Sequence, residues 1–117
     1  NTDKLFSQYP SKIKALQWHS YEVTELEKNQ DIKILGSSST TKYQIFKYMD
    51  HAYGIQFHIE IKKDTVSQWS CVPEYEKALE ESLGNGALEK FEENAQLNMT
   101  SMNKSAEILY KNFKKII

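Results

Sequence analysis

The sequence predicts an α/β fold in which β-strands come first and helices follow. Three observations support it. Extended segments rich in Ile, Tyr and Phe dominate the first half, apolar residues take helical spacing in the second half, and Gly84-Asn85-Gly86 separates two helical segments. The 117 residues, 39% of them apolar, suit one domain. We therefore expect strands mainly within 13–60 and helices mainly within 64–117.

Four segments of the first half read as strands. The first is the mixed run Ile13–His19 after Pro10, and the second is Asp31–Gly36, which ends at a Ser/Thr run. Tyr43–Tyr48 and Ala52–His58 are the third and fourth. Asp50-His51 supplies a turn between the last two, so they are predicted to form a hairpin.

Helical signals begin at residue 64. Asp64 and Thr65 are suited to cap a helix that runs through Trp69. Pro73 then interrupts the chain and Glu74 is predicted to start a second helix, which ends at Gly84-Asn85-Gly86. Its apolar residues share one face: Tyr75, Ala78, Leu79 and Leu83.

The clearest periodic signal is an apolar stripe after Ala87. Its members are Leu88, Phe91, Ala95, Met99, Met102, Ala106, Leu109, Phe113 and Ile116. Their spacing of three or four residues predicts a long amphipathic helix that packs its stripe on a core. The run 98–101 contains weak helix formers, so a kink is expected there.

Charge and cysteine content limit the function classes. The formal net charge is -1, which argues against a nucleic acid or an anionic membrane as partner. Cys71 is the one cysteine, so no intrachain disulfide forms; this fits a reducing compartment, and we expect a cytoplasmic protein. Cys71 itself is expected to be at least partly buried. No cofactor is predicted.

Chemistry is concentrated in the segment Gly54-Ile55-Gln56-Phe57-His58-Ile59-Glu60. His58 and Glu60 are two apart in an extended run, so both side chains are expected on one face. A carboxylate beside an imidazole orients the ring and stabilises its protonated form, as in a nucleophilic triad. Taken alone, the pattern also fits a structural or surface role, or a metal site completed by His19.

Four pieces in order resemble the class I glutamine amidotransferases. Gly54–Glu60 is similar to their motif G-x-Q-F-H-P-E, and Trp18-His19-Ser20-Tyr21 lies in a segment similar to H-W-H-G-D-x-V of the branch that resembles GMP synthase. Ile34–Ser38 and Tyr43–Phe46 resemble the two family strands between them. A helix ending in Trp69 follows the motif, as in the family.

The resemblance implies the C-terminal part of a flavodoxin-like amidotransferase domain, with glutamine as substrate. His58 would be the general base and Glu60 its orienting residue, while backbone groups of Ser20 and Tyr21 would help hold the glutamine. The family's cysteine nucleophile sits in a G-x-C-x-G elbow that residues 1–117 do not contain. Catalysis would need the domain's missing N-terminal half, and the ammonia would go to a synthase partner or another acceptor.

Two departures from the family pattern bear on these expectations. Ile59 stands where the family has Pro, and Ser20-Tyr21 stands where it has Gly-Asp. Two other functions stay open: a non-catalytic protein-interaction module derived from this fold, and a metal- or small-molecule-binding domain outside the family. We expect the 117-residue chain to be inactive alone and to self-associate through uncovered apolar surface.

Overall fold

The computed structural model describes residues 3–19 and 21–117. These residues divide into two compact units. The sheet unit comprises residues 15–58, and the helical unit comprises residues 3–14 and 59–117. The α/β class is confirmed, with strands first and helices after them. The interpretation of all 117 residues as part of one domain stays a prediction.

The sheet unit contains a three-stranded antiparallel sheet in the order β1-β2-β3. The strands are β1 (Ile32–Gly36), β2 (Ile45–Tyr48) and β3 (Ala52–Ile55). β1 pairs with β2, with an irregularity in register between Ile34 and Gly36. The predicted strands at 31–36 and 43–48 are confirmed, and the fourth is confirmed in its first half. A short 3-10 helix, Leu26–Lys28, precedes β1.

The predicted hairpin is formed by β2 and β3. Tyr48 pairs with Ala52, so Met49, Asp50 and His51 form the turn, in which Met49 takes φ 49°. Phe46 pairs with Gly54, and a Cβ added to Gly54 would lie 2.1 Å from the Phe46 ring atom Cζ. The aromatic ring therefore covers the bare glycine backbone, a device that shields a glycine inside a sheet.

The predicted strand Ile13–His19 was wrong. Only Leu16 takes part in β-structure there, through an isolated antiparallel bridge to His58. Leu16 N donates to His58 O, and His58 N donates to Leu16 O, both at 2.8 Å. One such pair fixes a crossing point between two extended segments but does not make a ladder.

The helical unit contains α1 (Thr65–Trp69), α2 (Pro73–Leu83) and α3 (Ala87–Ile116). All three predicted helices are confirmed, with α2 starting at Pro73 because proline is compatible with the first helical turn. Asp64 is the N-cap of α1 but makes no side-chain capping bond to the backbone; its carboxylate accepts from Gln68 Nε2 instead. Gly84, at φ 94°, ends α2.

The long helix α3 runs unbroken through 98–101, the run of weak helix formers. Its Ala95 and Met102 are buried, as the stripe predicted, but Phe113 and Ile116 are exposed. The core of the helical unit also includes Leu5 from the N-terminal segment. Asn112 Nδ2 on α3 donates to the carbonyls of Leu5 and Ser7 at 3.0 and 2.7 Å, which fixes that segment.

One burial prediction was wrong, that for Cys71. No residue of α2 is buried, and Tyr75 and Leu83 on its predicted apolar face are 50% and 70% exposed. Cys71 is exposed rather than buried, because it lies in the turn after α1, where its Sγ donates to Ser67 O.

Candidate functional site

His58 is fixed through its backbone. The two hydrogen bonds with Leu16 hold both its N–H and its carbonyl. The segment reaches this point from β3, which ends at Ile55, and Gln56 N continues the pairing by donating to Gln44 O at 3.0 Å. His58 is half-buried, so part of the residue is packed against its neighbours and part is open to solvent.

Burial alternates along residues 57–61. Phe57, Ile59 and Ile61 are buried, whereas His58 is half-buried and Glu60 is exposed. In extended backbone, successive side chains point to opposite faces, so residues two apart share a face. The prediction that His58 and Glu60 lie on one face rested on this property. The Glu60 carboxylate accepts from the N–H of Ile59 at 2.9 Å. That the imidazole and this carboxylate project together stays a prediction.

The segment from Gln17 to Val23 is organised by side-chain amides and one imidazole. His19 Nδ1 lies 2.7 Å from Tyr21 O, and because a carbonyl oxygen only accepts, the ring nitrogen donates. His19 Nε2 lies 3.1 Å from Gln17 Oε1. Gln44 Nε2 donates to that same oxygen at 3.0 Å. His19 therefore holds the backbone of its own loop.

Ser20, predicted to help hold glutamine, lies outside the described residues. Tyr21 is described, and its side chain is 91% exposed. Its carbonyl, already accepting from His19, retains a second lone pair for another donor. The loop reaches a further anchor two residues later, where Val23 N donates to Gln56 Oε1 at 2.9 Å.

Gln56 and Gln44 are functional candidates that the sequence reasoning did not single out. Gln44 is buried and donates to both Gln17 Oε1 and Ser38 Oγ. Gln56 donates from Nε2 to Tyr43 O at 2.8 Å while its Oε1 accepts from Val23. Both lie in segments that resemble family motifs, and that resemblance is the sequence signal that could have singled them out. The sequence does not show which backbone groups they bind.

A family model described as glutamine amidotransferase class-I matches residues 1–68, more than half of the chain. The chain belongs to the class I glutamine amidotransferase family. The match spans every candidate residue described so far in this section, and α2 and α3 lie beyond it. No curated protein and no solved structure matched the chain.

One cavity of about 550 Å³ opens in the sheet unit of this amidotransferase chain. Two loops line it, 22–27 on one side and 37–43 on the other. Two of its carboxylates form ion pairs: Lys42 of the lining lies 3.4 Å from that of Glu27, and the neighbouring Lys28 lies 2.9 Å from that of Glu25. The backbone N–H of Glu27, and then Lys42, lower the pKa of the Glu27 carboxyl.

The metal alternative finds no support in residues 3–19 and 21–117 of this amidotransferase chain. No three of their His, Cys, Asp or Glu side chains gather in an arrangement that could hold an ion, the set His19, His58 and Glu60 included.

His51 lies in the β2–β3 turn, as expected, with its ring edge-on to Tyr48 at 5.8 Å. Within residues 3–19 and 21–117, no helix combines the length and the apolar character needed to span a bilayer.

Proposed function

We propose that this amidotransferase chain supplies the general base and the orienting carboxylate of a cysteine-dependent glutaminase. His58 is the base and Glu60 orients it. The observation that carries the proposal is the family match across residues 1–68, within which His58 and Glu60 occupy the histidine and glutamate positions of the G-x-Q-F-H-P-E motif. The backbone pairing of His58 with Leu16 supports it, because a general base needs a fixed position.

The proposed reaction uses a cysteine thiol from outside residues 1–117. His58 takes the thiol proton as the sulfur attacks the side-chain amide carbon of glutamine. The tetrahedral intermediate collapses, the C–N bond breaks, and the imidazolium gives its proton to the leaving nitrogen, releasing ammonia and leaving a γ-glutamyl thioester. Water then attacks the thioester, His58 accepts a proton from it, and glutamate leaves as the thiol is restored.

Glu60 acts on His58 rather than on the substrate in this proposal. A carboxylate that accepts from one ring nitrogen fixes the tautomer in which the other nitrogen is free to take a proton. It also stabilises the imidazolium between the two proton transfers. Ile59, which replaces the family's proline between them, is compatible with extended backbone and is itself buried.

The proposal also covers the contacts with glutamine, the fate of the ammonia, the branch of the family and the cellular compartment. Backbone groups of Ser20 and Tyr21 hold the α-amino and α-carboxylate ends of glutamine. The ammonia passes to a synthase partner or another acceptor. The resemblance of the segment around Trp18-His19 supports a proposed membership of the branch that resembles GMP synthase, and the lone cysteine supports a proposed cytoplasmic setting.

The test is glutamate release by the full-length protein that carries this chain. We expect activity that requires a cysteine in a Gly-x-Cys-x-Gly segment and that falls by three or more orders of magnitude in His58→Ala, since triad residues contribute on the order of 10³-fold or more. His51→Ala is the matched control, because His51 is an exposed turn residue, and it should retain wild-type activity.

The polypeptide of residues 1–117 should release no glutamate, since its one cysteine, Cys71, has no flanking glycine and follows the histidine. Glutamate release by this polypeptide that disappears in His58→Ala would contradict the proposal. So would a full-length protein in which His58→Ala and His51→Ala are equally active.

A further inference from the structure

Residues 21–23 have no buried side chain. Tyr21 is 91% exposed, and Glu22 and Val23 are exposed as well. A segment without buried side chains keeps one conformation only if hydrogen bonds fix its backbone. The described contacts provide two: His19 to Tyr21 O, and Gln56 to Val23 N.

Gln56 is itself rigidly placed. Its backbone N–H donates to Gln44 O next to the pair Ile45–Ile55, so it continues the β2–β3 ladder by one bond. From there, Gln56 Nε2 donates to Tyr43 O at 2.8 Å and Oε1 accepts from Val23 N at 2.9 Å. One planar amide thus joins the loop to the segment that leads into β2.

The chemistry of this contact requires a primary amide. A backbone N–H needs an acceptor and a backbone carbonyl needs a donor, and an amide offers both from one rigid plane. Glutamate at this position would face the Tyr43 carbonyl with an acceptor, and methionine of similar length would satisfy neither group. The need for a donor and an acceptor at one position explains a glutamine here in physical terms.

We propose that Gln56 is a positioning residue that holds the 21–23 loop in the conformation that binds the amino-acid end of glutamine. This inference rests on the proposed function. Gln56 precedes His58 by two residues, so one short stretch of chain sets both the backbone of the base, paired with Leu16, and the loop that receives the substrate. Gln56 does not touch the reacting atoms; it acts through Val23 and Tyr21.

The test compares Gln56→Met, which loses both hydrogen bonds, with Gln56→Glu, which keeps an acceptor for Val23 N–H. In the full-length protein we expect Gln56→Met to raise KM for glutamine about tenfold with a smaller change in kcat, and Gln56→Glu to raise KM less. Gln96→Met is the matched control: it removes one hydrogen bond, from Gln96 Nε2 to Lys63 O, within the helical unit, and should leave KM unchanged.

Hydrogen exchange at the Val23 amide is the second readout and needs no enzymatic activity. We expect slow exchange in the wild type and in Gln56→Glu, and exchange accelerated at least tenfold in Gln56→Met. A purely structural role would lower the fraction of active protein and so kcat, with KM unchanged.

Wild-type KM in Gln56→Met would overturn this inference while leaving the proposed function intact. Unchanged Val23 exchange in that variant would overturn it too. A wild-type full-length protein that releases no glutamate would instead remove the proposed function, and the Val23 measurement would still decide whether Gln56 holds the loop.

Discussion

The sheet unit and the helical unit both bury apolar side chains, but they differ in the part that buried amides play. In the sheet unit, buried Gln44 and half-buried Gln56 bind backbone and side-chain groups of the neighbouring loops, beside an apolar core that includes Leu16, Tyr43, Ile45 and Phe57. In the helical unit, apolar packing dominates: Phe6, Ile61 and Met102 are the largest fully buried side chains among the described residues, and all three belong to it.

Buried amides and buried apolar side chains restrict the choice of residue to different degrees. An amide that must donate to one group and accept from another can be replaced by few residue types. A buried apolar side chain tolerates many substitutions if volume and period are kept. The family match covers residues 1–68, which include the whole sheet unit, the N-terminal segment of the helical unit and most of α1, while α2 and α3 lie beyond it.

The largest expected effect on stability is in the core of the helical unit. Met102→Ala removes a side chain that is 2% exposed, and should lower the free energy of unfolding by about 2–5 kcal/mol through lost burial and a cavity. Met99→Ala, at a half-buried position of the same helix, is the control. Equal losses by urea denaturation would show that Met102 is not the packing centre of α3.

Gly54→Ala tests close packing inside the sheet unit. The new Cβ would lie 2.1 Å from Phe46 Cζ, so the ring must move, at a cost of about 3 kcal/mol, the upper end for overpacking. The same substitution in a Phe46→Ala background should cost far less, because the obstructing ring is gone. If the two costs agree in thermal or urea unfolding, the ring does not cover Gly54.

Asn112→Leu tests a buried amide of the helical unit that binds backbone carbonyls, as Gln44 and Gln56 bind their partners in the sheet unit. It leaves the Leu5 and Ser7 carbonyls without their donor, and should cost about 2 kcal/mol in urea unfolding. Asn103→Leu, at an exposed position of α3, should be close to neutral. Two neutral variants would mean that the amide of Asn112 does not fix the N-terminal segment.

The smallest effect concerns Tyr9 at alkaline pH. Burial raises the pKa of its hydroxyl above 10.0, and the Ser105 hydroxyl partly offsets that rise. Well below pH 10 the phenol is neutral in both the folded and the unfolded chain, so its contribution to stability is fully present. As pH rises above 10 the unfolded chain ionises first, and this contribution is lost progressively up to the folded-state pKa.

The test is to measure the unfolding midpoints of the wild type and of Tyr9→Phe from pH 8 to 11. Both proteins contain the same lysines, so the difference between them reports the Tyr9 hydroxyl. We expect the wild type to lose more stability than Tyr9→Phe above pH 10. Parallel curves would contradict the burial of this hydroxyl.

The sequence predicted the positions of helices and strands better than it predicted which residues are buried or paired. Strand alternation located β1, β2 and β3, and the three-four spacing located α3 almost to the residue, because both patterns follow from local geometry. The strand predicted over 13–19 failed because the structure pairs only Leu16, and pairing depends on residues far along the chain. Exposure of Cys71 and of α2 also depends on what packs nearby, which periodicity does not report.

In the candidate site, too, residue types were visible in the sequence but their hydrogen-bond partners were not. The motif indicated the family, which is confirmed, and named His58 and Glu60 as candidate site residues, because residue types at fixed spacing are visible in a sequence. The hydrogen bonds that Gln17, Gln44 and Gln56 make to each other and to the loop backbone were not predictable, because they join residues up to 33 positions apart.

The central claim is that His58 and Glu60 act as a unit, and a double-mutant cycle on kcat/KM for glutamine in the full-length protein tests it most directly. We predict that Glu60→Gln lowers kcat/KM at least a hundredfold and that His58→Ala with Glu60→Gln loses no more than His58→Ala alone, as for residues that share one catalytic task. A Glu60→Gln variant with wild-type activity, or losses that multiply in the double variant, would contradict the account.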